Sequence, residues 1–276
     1  MPFFKNTLII TATVIQLSTT AVAQIPSSAT EKAPAAMICL TYDDALPSQL
    51  KNVIPQLNAL KLKATFFINS IPGSSDQLGH GSPSLIAWKA AAAEGHELAN
   101  HTLFHPCPQK LGWEKDVSLE TYTLEMLLSE IKTMHAYLDA ITGKKEKRSF
   151  AYPCNETTLN GVDYTAALRK LGIVSYGRAG GDQQSIITDV KHTDDLKMPS
   201  WHVLEGTSGE AMIAFVEKTI RSNGLGIFQF HDVGGALFNV SREAHQNLLD
   251  YLHDNAHRVR VLTFSDAVTE MKRIIK

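Results

Sequence analysis

The sequence predicts a single-domain α/β protein built on a parallel sheet, open or closed into a barrel. Three observations predict it. From Met37 onward, short apolar runs alternate with stretches of helical periodicity, at the size of strand–helix units. No internal repeat and no second linker interrupts that alternation. With 276 residues, 44% hydrophobic and 20% charged, the chain has ordinary globular composition, which excludes a disordered or collagen-like polymer.

In chain order, residues 1–23 read as a secretory signal peptide. Lys5 supplies the positive end, Leu8 to Leu17 the apolar stretch, and Ala21-Val22-Ala23 the small-residue cleavage pattern. The apolar run is too short and too rich in threonine to span a bilayer. The mature protein is therefore expected to be secreted or periplasmic, without a transmembrane segment. Residues 24–35, rich in Ser, Ala and Pro, read as a linker, and 36–276 as the domain. Within it, Met37–Leu40 reads as a buried strand and Pro47–Leu60 as a helix, with Leu50, Val53, Ile54, Leu57 and Leu60 on its apolar face. Ala64–Ile68 is the next strand, Pro83–Glu94 a helix ended by Gly95, and His96–Ala99 a short extended piece. Thr121–Ile141 carries apolar residues at three- and four-residue intervals and stops at Gly143, as a long amphipathic helix does. Then follow strand Ser149–Tyr152, helix Asp163–Leu171, strand Ile173–Tyr176, helix Gly209–Ser222, strand Ile227–Phe230, helix Arg242–Asn255, strand Val259–Leu262 and helix Ser265–Ile275.

Charge argues against a polyanionic partner. Lys and Arg number 26 against 28 Asp and Glu, a formal −2 that becomes −3 once a leader carrying Lys5 is removed. The one basic run, Lys144, Lys145, Lys147 and Arg148, follows a helix and reads as a solvated cap of its C-terminal end, so no nucleic-acid partner is expected. Three cysteines are too few for a disulfide scaffold but allow one bridge.

In this fold class, ligands meet the loops that follow the carboxyl ends of strands. Polar residues of one kind gather there. ICLTYDDA ends in Asp43 and Asp44, which point to opposite sides of an extended chain, so one can bind while the other serves as a base. ELANHTLFHP places His101 and His105 four apart, able to face one point if the loop turns helically. IFQF runs into His231 and Asp232. Two imidazoles and a carboxylate make a three-ligand metal set with room for water. Each part has a plainer reading: an Asp pair as the N-cap of the next helix, His231 as a satisfied supporting group. Their coincidence at strand ends is what points to a metal site.

TYDDA, HTLFH and FHD resemble, in order and spacing, the motifs of the polysaccharide deacetylase family, the NodB-homology domain of carbohydrate esterase family 4, over about Met37 to Lys276. The resemblance implies a distorted (β/α) barrel. It also implies a divalent metal, often zinc, on Asp44, His101 and His105, with Asp43 as general base and His231 as general acid. N-acetylated sugars would be the substrates. The Cys154 backbone N–H, in the Pro153–Cys154 turn, would then help hold the oxyanion. The expected reaction is removal of acetyl groups from an N-acetylated glycan by metal-activated water, with O-deacetylation as a side activity because an alcohol leaves more easily than an amine.

The sequence departs from the family pattern in places. Ala45 stands where the first motif usually has glycine, and FAYPCN puts Ala151 at the position of the third-motif arginine and Cys154 at that of its tyrosine. Arg178, just past strand Ile173–Tyr176, is the candidate to replace the arginine beside Asp43, against the alternative of a solvent-facing loop residue. Asp182 is the candidate to orient His231, with Asp194 and Asp195 competing. Because the loops of Cys107 and Cys154 should both border the metal, a Cys107–Cys154 disulfide is expected, with Cys39 a buried free thiol; the alternative makes Cys107 or Cys154 a thiolate ligand. Trp88 reads as core; Trp113 and Trp201 fall in irregular stretches and suit rim packing or sugar stacking. Of the other histidines, His96 is the one expected to stand behind the site. Two competing functions remain: a non-catalytic, metal-containing glycan-binding protein, favoured by the missing arginine, and an iron oxygenase, disfavoured by the strand–helix alternation.

Overall fold

Every residue of β1 (Met37–Asp43) is buried, as a strand covered on both faces must be. The computed structural model describes residues 1–3, 36–69 and 85–274. The expected leader and linker, apart from Met1–Phe3, lie outside the described residues. The described fold belongs to one compact unit, Ala33–Lys276.

The remaining strands are β2 (Thr65–Ile68), β3 (Glu97–Asn100), β4 (Arg148–Ala151), β5 (Thr158–Leu159), β6 (Val162–Asp163), β7 (Val174–Ala179), β8 (Ile186–Ile187), β9 (Met198–Pro199), β10 (Trp201–His202), β11 (Leu225–Phe230) and β12 (Arg260–Val261). The main sheet runs β10-β11-β1-β2-β3-β4-β7-β9, with β12 on β1 and the antiparallel β8 on β11. Its two ends, β9 and β10, are separated in sequence by Ser200 alone. Met198 pairs with Arg178 on one side, and Trp201 with Phe228 on the other. One short segment thus links both edges, and the sheet is a nearly closed, distorted barrel. That segment was read from sequence as irregular: with two paired residues on each flank of Ser200 it carries no strand periodicity of its own, and pairing on both sides makes it a strand.

Helices cover the outside. Ile38, Leu40 and Tyr42 pack outward with Val53, Leu57, Leu248 and Leu249. Met37 and Cys39 point the other way, toward Phe67, Ala99, Ala151, Leu225 and Ile227. Since side chains alternate along a strand, the inward column of β1 continues through Thr41 to Asp43. The same count carries Phe67 to Asn69, Ala99 to His101, and Ile227 through Gln229 to His231. The barrel is filled by apolar side chains below and turns polar at its C-terminal rim.

Several elements differ from the sequence reading in extent. The first helix begins as a π-helical turn, Gln49–Val53, before Ile54–Ala59. β7 runs on through Arg178, which is a strand residue and not a loop one. The long helix is Leu124–Thr142, capped by the Thr123 side chain and ended by Gly143 at φ 70°. Arg148 is not part of a solvated face: it is buried in β4 and donates to Asp139, Thr142 Oγ1 and the Lys144 carbonyl, tying the helix end to the sheet. No helix among the described residues is long and apolar enough to cross a membrane.

Candidate metal centre

Asp43, Asp44, His101, His105, Cys154 and His231 line one cavity of about 460 Å³ at the C-terminal rim, together with Asn155, His202 and Gln229. Asp44 lies just past β1 at φ 74°, and Ala45 follows at φ 52°, so the chain reverses there in the left-handed region. Ala45 stands where the resembled motif usually has glycine, and the left-handed conformation it takes costs a non-glycine residue about 1–2 kcal/mol. The turn aims Asp44 back into the cavity while Asp43 keeps the strand's inward direction. Gln49 Nε2 donates to the carbonyls of Asp43 (2.5 Å) and His231 (3.2 Å), clamping the ends of β1 and β11 together.

His101 and His105 converge, though not through the helical turn expected from their spacing. Thr102 and His105 both take positive φ, and Thr102 Oγ1 accepts from the His105 N–H at 2.9 Å. The ring centroids lie 4.6 Å apart. His101 Nε2 is 3.6 Å, and His105 Nε2 3.5 Å, from Asp44 Oδ1. His101 Nδ1 donates to the Ala151 carbonyl at 2.8 Å, which leaves the Nε2 lone pair facing the cluster. Burial pushes His101 down to about 4, so it is neutral and able to ligate near pH 7. Asn69 Nδ2 donates to Asp44 Oδ1 at 2.7 Å. Buried donors of this type, their ligand atoms all within 4.8 Å of one another, fit a divalent cation. A second grouping, His105 with Cys107 and Cys154, offers no thiolate, because Cys107 and Cys154 form a disulfide with Cα atoms 5.8 Å apart. Cys39 is buried and free.

Asp43 stands beside the cluster, and its two oxygens differ. Oδ2 accepts from Arg178 Nη2 at 2.6 Å and Gln229 Nε2 at 3.1 Å. Oδ1 is buried and has no hydrogen-bond partner. Burial pushes the Asp43 carboxyl up, but the Arg178 guanidinium, with His101 and His231, more than offsets this and holds it at about 2. Arg178 is itself fully buried, its guanidinium 4.9 Å from the centre of the Phe67 ring. In register it is the partner of Ala151, so the cation sits one strand over, at the height of the position that lacks it.

His231 Nε2 lies 3.8 Å from Asp44 Oδ2, and its Nδ1 is buried without a partner. None of the acidic candidates for it is there. Asp182 is turned into its own exposed loop, accepting from the Gln184 N–H and Ser185 Oγ, Asp194 accepts from Arg169, and Asp195 pairs with Lys272. What packs on His231 is His202, 5.1 Å between ring centroids, held down to about 4 chiefly by burial. The expectation for His96 is likewise corrected: it precedes β3, at the opposite end of the barrel, where its Nδ1 accepts from the Ala64 N–H. Trp88 and Trp201 are core, Trp201 packing on Phe215 and Phe228. Trp113 lines the cavity, 5.7 Å from His105. Sequence reasoning missed Asn69, Gln229 and His202. The first two carry a signal, each lying two residues beyond an inward apolar residue of its strand; His202 carries none, since its strand exists only by pairing.

A family model described as polysaccharide deacetylase matches residues 30–175. No curated protein matches the chain. Among solved structures, similarity extends to the catalytic domain of a peptidoglycan N-acetylglucosamine deacetylase from Eubacterium rectale (17% identity, 83% of this chain and 90% of that one, TM-score 0.54). It extends also to the Xyl-CE4 domain of a multidomain xylanase from the hindgut metagenome of Trinervitermes trinervoides (17%, 86% and 91%, 0.51). A mutant of a Bacillus anthracis CE4 family pseudoenzyme with restored enzymatic activity matches at 16% identity over 84% of this chain and 67% of that one, with TM-score 0.51. At these identities the likeness is one of fold.

Proposed function

The chain belongs to the polysaccharide deacetylase family, and from that premise we propose that it is an exported, metal-dependent hydrolase that removes acetyl groups from an N-acetylated glycan. One observation carries the reading: a buried Asp44–His101–His105 cluster stands beside a carboxylate whose Oδ2 is held by a cation and whose Oδ1 is unpaired. A divalent ion on those three residues, with zinc the expected one for two imidazoles and a carboxylate, would polarise the acetyl carbonyl and acidify a water. Asp43 Oδ1 takes the proton of the attacking water. Arg178 and Gln229 keep that carboxylate ionised and fixed in orientation, since they occupy its other oxygen. As the carbon–nitrogen bond breaks, His231 gives a proton to the departing amine, and acetate and a free amino sugar result. The Cys154 N–H, in a turn at φ 51° on the cavity wall, is the donor assigned to the developing oxyanion.

The competing reading, a glycan-binding protein without turnover, rests on the missing third-motif arginine, and the Arg178–Asp43 contact weighs against it. Acetate release from N-acetylglucosamine oligomers after zinc loading tests the two. Release that falls at least a hundredfold in Asp43→Asn is the expected result. No release from any N-acetylated glycan tried, with zinc bound, would leave the binding reading in place.

A further inference from the structure

The two ring nitrogens of His105 face two different sets of ligands. Nε2 points to Asp44 Oδ1, 3.5 Å away, on the side of His101. Nδ1 points to Cys107 Sγ, also at 3.5 Å. When Nε2 gives its lone pair to an ion, Nδ1 carries the ring proton, and the disulfide sulfur is the acceptor in front of it. For His101 the same task falls to an oxygen, the Ala151 carbonyl. For His105 it falls to one half of a redox couple. The other half, Cys154, sits on the wall of the same cavity, in a turn where Cys154 and Asn155 take φ 51° and 59°. Cys107 is fully buried, whereas Cys154 is only half-buried. One ligand atom from each of His105, Cys107 and Cys154 falls in a group whose members all lie within 4.8 Å of one another.

We propose that these three residues are a second, redox-gated metal site. Once the Cys107–Cys154 disulfide is reduced, a soft divalent ion such as zinc binds His105 Nδ1 and the two sulfurs, and the Asp44 site loses its third ligand. The inference rests on the metal reading of Asp44, His101 and His105. The co-reactant is a dithiol reductant. Its thiolate attacks the cavity-side sulfur, Cys154 Sγ, and the S–S bond breaks. Cys107 leaves as a thiolate in front of the His105 Nδ1–H, which donates to it. The reductant's second thiol then displaces Cys154 and closes as a disulfide, so two electrons and two protons pass to the protein. The arriving ion displaces those two protons to solvent. Zinc favours thiolates, and a neutral imidazole has one lone pair. Using that pair at Nδ1 puts the proton on Nε2, which then donates to Asp44 Oδ1 instead of ligating beside it. One ring therefore serves one ion at a time, and the disulfide decides which. An exported chain would stay inactive until it reached a compartment where the disulfide forms.

Cobalt(II) reads the ligands directly, because a thiolate adds a sulfur-to-metal charge-transfer band in the near ultraviolet that nitrogen and oxygen ligands lack. The full chain is loaded with cobalt(II) when oxidised, and again after reduction by a phosphine and anaerobic removal of the excess. The oxidised protein should bind cobalt without the band, and the reduced protein with it. Asp44→Asn should bind little cobalt when oxidised and keep the band when reduced. Cys107→Ser combined with Cys154→Ser, which retains Cys39, should show no band in either state, and alkylation of the reduced, unsubstituted chain should remove it. Equilibrium dialysis with zinc should find a single ion per chain in both states. Acetate release by the zinc-loaded protein should fall about tenfold or more on reduction and return on reoxidation. Absence of the band after reduction, two ions bound together in the reduced chain, or loss of the fold on reduction by circular dichroism overturns the proposal. The band in the reduced protein, with no acetate release from the oxidised zinc form, upholds the redox-gated site and overturns the hydrolase reading instead.

Discussion

Asp43 is buried with a formal charge, and at the scale of the residue its neighbours decide whether that is tolerable. Arg178 and Gln229 share one oxygen, and the carboxyl is held at about 2 against the upward push of burial. Removing the guanidinium leaves a carboxylate stranded in the barrel, a change that typically costs 3–5 kcal/mol. Arg178→Ala is therefore expected to lower stability by about that much in urea unfolding and to lower turnover with it, while Arg178→Lys, which keeps the charge but loses the forked geometry, should recover most of the stability and less of the turnover. Full turnover in a folded Arg178→Ala would remove Arg178 from the site. The metal ligands make a second expectation. Zinc added to chelator-stripped protein should raise Tm by roughly 10 °C when saturating, and Asp44→Asn should abolish most of that rise.

At the scale of elements, two loops do most of the positioning, and a disulfide joins them. Cys107 follows the His101–His105 turn and Cys154 follows β4, 47 residues apart in sequence. Closing a loop of this size stabilises by up to about 4 kcal/mol on the chain-entropy account. Cys154→Ser, paired with Cys107→Ser to avoid a stray thiol, should cost a sizeable part of that. Thiol titration of the denatured protein should find one thiol, Cys39, before reduction and three after it. The start of the long helix was read at Thr121 and not at the Thr123 cap, but its end was legible because its signal is local: Gly143 closes it by a left-handed exit. The strand that closes the barrel was not, because two residues on each side of Ser200 have no periodicity to detect.

The whole molecule responds to pH through histidines that the fold keeps neutral. His245 is fully buried between Tyr42 OH, 2.7 Å from its Nε2, and Gln56 Oε1, 2.8 Å from its Nδ1, and burial lowers it from 6.5 to about 3. In the unfolded chain it takes up a proton below about pH 6.5, which the folded chain refuses until about pH 3. Stability must therefore fall as pH drops through that window, by about 1.4 kcal/mol per pH unit for this one group. His96 and His202, both held near 4 by burial, steepen the fall. Unfolding free energies measured from pH 7 to 4 should show the slope, and His245→Gln should flatten it by about one proton; an unchanged slope would mean that His245 titrates normally in the folded chain.

Taken alone, the sequence determined the alternation of strands and helices, the family motifs and the identity of the residues at strand ends, because hydrophobic period and local residue order encode these directly. It also contained, without displaying it, the inward column that carries Asp43, Asn69, His101, Gln229 and His231 to one rim, since that follows from counting by twos from buried apolar residues. Tertiary structure decided the rest: that Arg178 stands beside Asp43 from the strand next to Ala151, that Asp182 turns away from His231, and that His202 lies against it. Each of these depends on which strands become neighbours and at what register, and pairing between segments distant in the chain leaves no trace in the spacing of residues within either one.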